Sequence, residues 1–178
     1  MGCGPPAGRN GMRYLIKQKW LTMGDKYYIR DENGEDVFFV DGRVFSIGDK
    51  LSFQDMQGNV LAFIAQKLLA WGPTYHVHIR GEHYATVKKK LFTLFRCKFE
   101  VDIPGPDDLL AQGSFLDHEY TFTRHGETVA TASKKWFSFR DTYAVDIADG
   151  EDEVLILASA IVIDLACHNR TGTTIDID

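Results

Sequence analysis

Few residues in this chain have the types and spacing that chemistry needs. His76 and His78 stand two apart in Thr74-Tyr75-His76-Val77-His78-Ile79. On a strand that spacing puts both imidazoles on one face, because side chains alternate with a period of two. Two imidazoles begin a transition-metal site, but zinc-type coordination asks for at least a third ligand. The equivalent positions in a later repeat are Ala144 and Asp146, so the face with His76 and His78 reads as a solvated wall, and His83, His118, His125 and His168 are scattered with no neighbours at ligand spacing. Cys3, Cys97 and Cys167 are odd in number and far apart. They read as lone thiols in a reducing compartment, not as a disulfide framework or zinc site. No GxSxG elbow, phosphate-binding glycine loop or HExxH helix occurs. Asp107-Asp108 and Glu151-Asp152-Glu153 read as a loop and a helix start. The sequence therefore points to no catalytic residue, cofactor or metal, and away from an enzyme.

A second set of residues suggests ionic binding. Lys67-Leu68-Leu69-Ala70-Trp71 is followed by Lys88-Lys89-Lys90-Leu91-Phe92-Thr93-Leu94-Phe95-Arg96, and later by Lys134-Lys135-Trp136-Phe137-Ser138-Phe139-Arg140. Cations interleaved with Trp, Phe and Leu suit an anionic lipid surface, where each cation contributes roughly 1 kcal/mol. The candidate rim for an anionic ligand is Lys67, Lys88, Lys89, Lys90, Arg96, Lys134, Lys135 and Arg140. The plainer reading is that the aromatics plug one end of the fold and the lysines are its solvated edge. The overall charge of −5 opposes an anionic partner in part and argues against nucleic acid. Screening keeps distant acids from cancelling a local patch.

The elements that carry these residues repeat. Gly58-Asn-Val-Leu-Ala-Phe-Ile-Ala-Gln-Lys67, Gly81-Glu-His-Tyr-Ala-Thr-Val followed by Lys88, and Gly126-Glu-Thr-Val-Ala-Thr-Ala-Ser-Lys-Lys135 align with one another. The period is about 23 residues, the mark of an array or a closed repeat. Each unit reads as two strands joined by a bulky link and ended by a glycine turn, as at Asn33-Gly34, Gln57-Gly58 and His125-Gly126. Five units span roughly residues 34–147, and two strands at 12–19 and 26–30 precede them. The total is about twelve antiparallel strands in a meander. Two strands per unit restore the chain direction, so equivalent links belong at the same end.

The segment after Glu151 differs. Residues 154–167 are apolar except for Ser159 and Asp164, too long for an ordinary strand and apolar on nearly every face. A helix of that kind has to be surrounded. A sheet covers one stripe of it, whereas a closed barrel covers it all round and also removes the exposed sheet edges. A helix roughly 10–12 Å across needs a wall of more than the roughly eight strands that fill themselves. The expected fold is therefore mainly β, a closed antiparallel barrel of about twelve strands around a C-terminal helix over about residues 151–168. Residues 1–11 read as a flexible lead, 12–170 as the barrel domain and 171–178 as a tail. Gly2-Cys3 invites lipidation, but Pro6 breaks the myristoylation pattern. No apolar run reaches the roughly 18 residues a membrane span needs.

This pattern resembles the LURP-one-related family. The likeness rests on the closing helix Leu155-Ile156-Leu157-Ala158-Ser159-Ala160-Ile161-Val162-Ile163-Asp164, the strands ending at Lys67-Leu68, Lys89-Lys90 and Lys134-Lys135-Trp136, the Arg140-Asp141-Thr142-Tyr143 element and the Asp31-Glu32-Asn33-Gly34 turn. It covers residues 12–170. The resemblance implies a tubby-like barrel threaded by its C-terminal helix, akin to phosphoinositide-binding tubby domains and to phospholipid scramblases, and it carries over no catalytic residue. The leading expectation is a non-catalytic binding or scaffold domain, cytoplasmic or peripheral at the membrane, whose ligand is anionic phospholipid or a protein. A scramblase-like membrane protein is the second reading, opposed by the short helix and by Asp164 within it. A nucleic-acid-binding or regulatory protein is the third.

Overall fold

The computed structural model describes residues 11–20, 25–42, 50–90, 98–134 and 142–168. Most of the expected lead and all of the tail lie outside them. Twelve strands follow one another: β1 (Gly11–Trp20), β2 (Asp25–Arg30), β3 (Asp36–Asp41), β4 (Lys50–Asp55), β5 (Val60–Gln66), β6 (Thr74–Ile79), β7 (Glu82–Lys90), β8 (Lys98–Asp102), β9 (Leu109–Ser114), β10 (Glu119–Arg124), β11 (Glu127–Ser133) and β12 (Thr142–Ala148). Each pairs antiparallel with its sequence neighbours, and β1 pairs with β12, which closes the barrel. One helix, α1 (Glu153–His168), follows.

The glycine turns set the strand register. Arg80-Gly81 and His125-Gly126 are two-residue turns with positive φ at both positions, the conformation that fits strand twist. Asp31 and Asp55 build longer turns in the same way. Asp31 Oδ1 accepts from the N–H groups of Asn33 and Glu35, and Asp55 Oδ1 from those of Gln57 and Asn59. These hydrogen bonds hold both carboxyls below the usual carboxylate range. Three residues after each of these turn glycines one extra residue enters the ladder, at Val37, Leu61, Tyr84 and Val129. Such a bulge turns a side chain that would face outward back toward the interior. All four extra residues pack on or in the core.

The inner wall repeats as well. Tyr27, Leu51, Tyr75, Phe99, Tyr120 and Tyr143 sit two or three residues into the even-numbered strands, and all are buried. They form a ring of large side chains near one end of the barrel interior. At Gly113 the neighbouring strand comes so close that a Cβ would lie 2.4 Å from the Glu119 carbonyl oxygen.

The helix fills the interior. Residues 155–166 are buried on every side, Ser159 and Asp164 included. The expected start at 151 moves to Glu153 because Asp152 is the N-cap: its Oδ1 accepts from Leu155 N–H and its carbonyl from Ile156 N–H. Three acids at this end are each held by a different strand. Tyr84 Oη donates to Asp152 at 2.9 Å, Tyr14 Oη donates to Glu153, and Arg124 pairs with Glu151 at 2.5 Å. Burial and the Glu153 carboxylate push the Tyr14 phenol well up.

The barrel wall encloses Leu157 completely, so truncating it leaves a void that the rigid strands cannot fill. Leu157→Ala is expected to lower unfolding stability by about 2–5 kcal/mol in urea denaturation.

Candidate functional site

The topology gives the barrel two distinct ends. The glycine turns and the helix N-terminus share one of them, the turn end. The connections after β1, β3, β5, β7, β9 and β11 and the helix C-terminus share the other, the link end. The three basic–aromatic stretches thus begin at one end, as strand direction requires.

The link end separates the candidate rim residues by environment. Lys67 is exposed where β5 ends, and its N–H donates to the Thr74 carbonyl, which closes the 67–73 link. Within that link Leu69 and Trp71 are each 96% exposed and Leu68 is 54% exposed. These side chains do not plug the barrel. The buried ring headed by Tyr27 and Tyr75 already fills that space. Leu116, on the β9–β10 connection at the same end, is also exposed.

Lys88 and Lys90 stand on the outer wall, Lys90 at the link-end edge of β7 and Lys88 two residues below it. Lys90 Nζ lies 2.6 Å from Glu100 and Lys88 Nζ 3.0 Å from the same carboxylate, with Asp102 at 3.8 Å from Lys88. Lys90 and Lys88 hold the Glu100 carboxyl below its usual range. Lys89 alternates to the inner face, its Nζ 5.9 Å above the Phe99 ring. Lys134 N–H donates to Glu119, which also accepts from Ser133 Oγ. Arg96, Lys135 and Arg140 lie outside the described residues.

Beneath this end the helix is clamped. His118 Nε2 lies 2.7 Å from Asp164 Oδ1, both side chains buried. A carboxylate can only accept, so Nε2 carries the hydrogen. His118 sits at positive φ in the tight turn after β9, its ring 4.4 Å from that of Tyr143. Burial, with the Asp164 charge next, pushes the Tyr120 phenol well up; burial and Tyr120 do the same to Tyr143. The spacing of His118 and Asp164 along the chain gave no sign of this pair.

The expectation that His83 stands apart from other histidines is overturned. The tight turn at Arg80-Gly81 places His83 opposite His78 on the outer wall, and the bulge at Tyr84 then sets Thr86 opposite His76. His76 Nδ1 lies 3.2 Å from His83 Nε2, and Thr86 Oγ1 lies 3.2 and 3.0 Å from the two nitrogens. The two-residue turn at Arg80-Gly81 carried the signal, since it pairs residue 79 with 82 and 78 with 83. Partial burial lowers the His76 pKa, with His83, Lys67 and His78 adding to the effect. Among the described residues no three His, Cys, Asp or Glu side chains form a ready-made metal group. Cys167, near the helix end, is in no disulfide among the described residues.

A closed twelve-stranded antiparallel barrel around a C-terminal helix defines the class of protein. The sequence profile of the LURP-one-related family matches residues 12–164, and the chain belongs to that family. It is 32% identical over 167 residues to the uncharacterised protein YxjI of Bacillus subtilis (strain 168), covering 90% of this chain and 97% of that one. A solved structure of a protein from Arabidopsis thaliana has a similar fold, with TM-score 0.65 and 20% identity over 88% of this chain and 90% of that one.

Removing one member of the His118–Asp164 pair leaves the other buried without it. His118→Ala and Asp164→Ala are each expected to cost about 3–5 kcal/mol in urea unfolding. The double variant should cost less than the two single losses together.

Proposed function

We propose that this chain is a non-catalytic binding domain whose link end docks on an anionic lipid surface. One observation carries this reading: Leu69 and Trp71 stand almost fully in solvent beside Lys67. A globular fold gains nothing from holding a Trp and a Leu this way, whereas a membrane interface favours Trp at headgroup level and Leu below it. Stable peripheral binding takes an apolar anchor together with a basic one. Lys67 supplies the basic part here, while Lys88 and Lys90 are already committed to Glu100. Insertion therefore leads and charge assists. The kinship with phosphoinositide-binding tubby domains that the family resemblance implies supports the same reading.

A scramblase-like role would need α1 to leave the barrel. It has 16 residues, and no described helix is long and apolar enough to cross a membrane. The clamp on Asp164 also holds it in place.

Cosedimentation with vesicles of phosphatidylserine and phosphatidylcholine tests the proposal. The protein should sediment with them, and Leu69→Ser with Trp71→Ser should weaken binding at least about tenfold. Lys67→Glu should weaken it less, with a deficit that shrinks as salt rises. No sedimentation at low salt, or binding unchanged in the double variant, refutes the lipid reading and leaves a protein partner for the same surface.

A further inference from the structure

The outer wall of the β6–β7 hairpin holds a group of side chains that the lipid-docking reading does not use. His76 and His78 face outward, alternating with the buried Tyr75 and Val77. The turn at Arg80-Gly81 pairs His83 with His78 on the same outer face, and the bulge at Tyr84 brings Thr86 opposite His76 while Tyr84 itself reaches Asp152 at the helix cap. The rings of His76, His78 and His83 lie 5.1 to 6.3 Å apart between centroids, each edge-on to the others.

The geometry points to a surface site for a divalent transition ion of the imidazole-preferring class, Zn²⁺, Ni²⁺ or Cu²⁺, held by His76 Nδ1, His83 Nε2 and a nitrogen of His78. Tetrahedral zinc with bonds of about 2.0–2.1 Å places neighbouring ligand nitrogens about 3.3 Å apart. The His76 and His83 nitrogens are already 3.2 Å apart. Thr86 Oγ1 closes a triangle with them and is placed to accept a metal-bound water or to steady a ring. His78 is the adjustable member. Its Nδ1 is buried with no hydrogen-bond partner, so no hydrogen bond at that nitrogen fixes the ring orientation, and a turn about its side-chain bonds brings a nitrogen outward. The site is therefore not a finished cage but one that closes on the ion. Soft and borderline ions are selected over Mg²⁺ and Ca²⁺ because the donors are imidazoles and not carboxylates. Lys67 is a nearby cation that acts on His76. It limits the affinity, so a dissociation constant on the order of micromolar is expected.

Calorimetric titration of tag-free, chelator-treated protein with ZnCl₂ and with NiCl₂ tests this, with MgCl₂ as the hard-ion control. One Zn²⁺ should bind per chain, and Mg²⁺ should give no signal. His76→Ala and His83→Ala should each weaken Zn²⁺ binding at least about tenfold, and His78→Ala should weaken it measurably, while His125→Ala should leave it unchanged. All four positions lie on the surface or in exposed turns, and circular dichroism should confirm that the variants fold. With Cu²⁺, electron paramagnetic resonance should display nitrogen coupling that falls away in the His76 and His83 variants. Absence of saturable Zn²⁺ and Ni²⁺ binding overturns the site. So does binding that survives His76→Ala combined with His83→Ala. Full affinity in His78→Ala overturns the three-imidazole ligand set.

Discussion

An apolar rod that offers no polar face to water governs this structure. Residues 155–166 of α1 are buried all round, and the two polar side chains among them, Ser159 and Asp164, are buried too. A sheet packed on one side would leave much of that surface wet, at roughly 25 cal/mol for each Å² of apolar area left exposed. Enclosure is the stable solution, and it dictates the rest. The strands must close, the wall must be wide enough for a helix, and the interior positions must stay apolar from strand to strand. Apart from Ser159 in mid-helix, the polar side chains of this segment collect where the helix meets the barrel ends. Asp152, Glu153 and Glu151 are gripped by Tyr84, Tyr14 and Arg124 at one end, and Asp164 is gripped by His118 at the other.

Because the helix occupies the interior, the outer wall and the two ends are the surfaces the described residues offer to a ligand. Two outer regions differ in character. The wall between β6 and β8 is polar, with its histidines set edge to edge and its lysines bound to Glu100. The link end instead presents large apolar side chains with no described partner surface. On the proposed reading the core holds the helix and the link end meets a surface, so substitutions at the exposed Leu69 or Trp71 are expected to change binding without touching stability.

Much of the architecture was legible in the sequence. Alternation at Tyr75, Val77 and Ile79, glycine at the turns that end each unit and the repeat of about 23 residues pointed to the strands and their number, since each is a local signal. The even-strand ring from Tyr27 to Tyr143 is the same repeat seen from inside. What the sequence hid depends on contacts between distant residues or on bulges. His118 and Asp164 are 46 positions apart, and nothing local marks them as partners. The pairing of Lys88 and Lys90 with Glu100 depends on the β7–β8 register. His83 was within reach, because a two-residue turn at Arg80-Gly81 already sets it against His78; the bulge that completes the cluster was not.

Native-state hydrogen exchange tests the enclosure of the helix most directly. If the barrel surrounds α1, the amides of residues 157–163 exchange only when the whole molecule unfolds, with a free energy equal to that from denaturant unfolding and to that of the slowest strand amides. Exchange of those helix amides through a smaller opening, while the strands stay protected, would mean that the helix leaves an intact barrel, and would contradict the account.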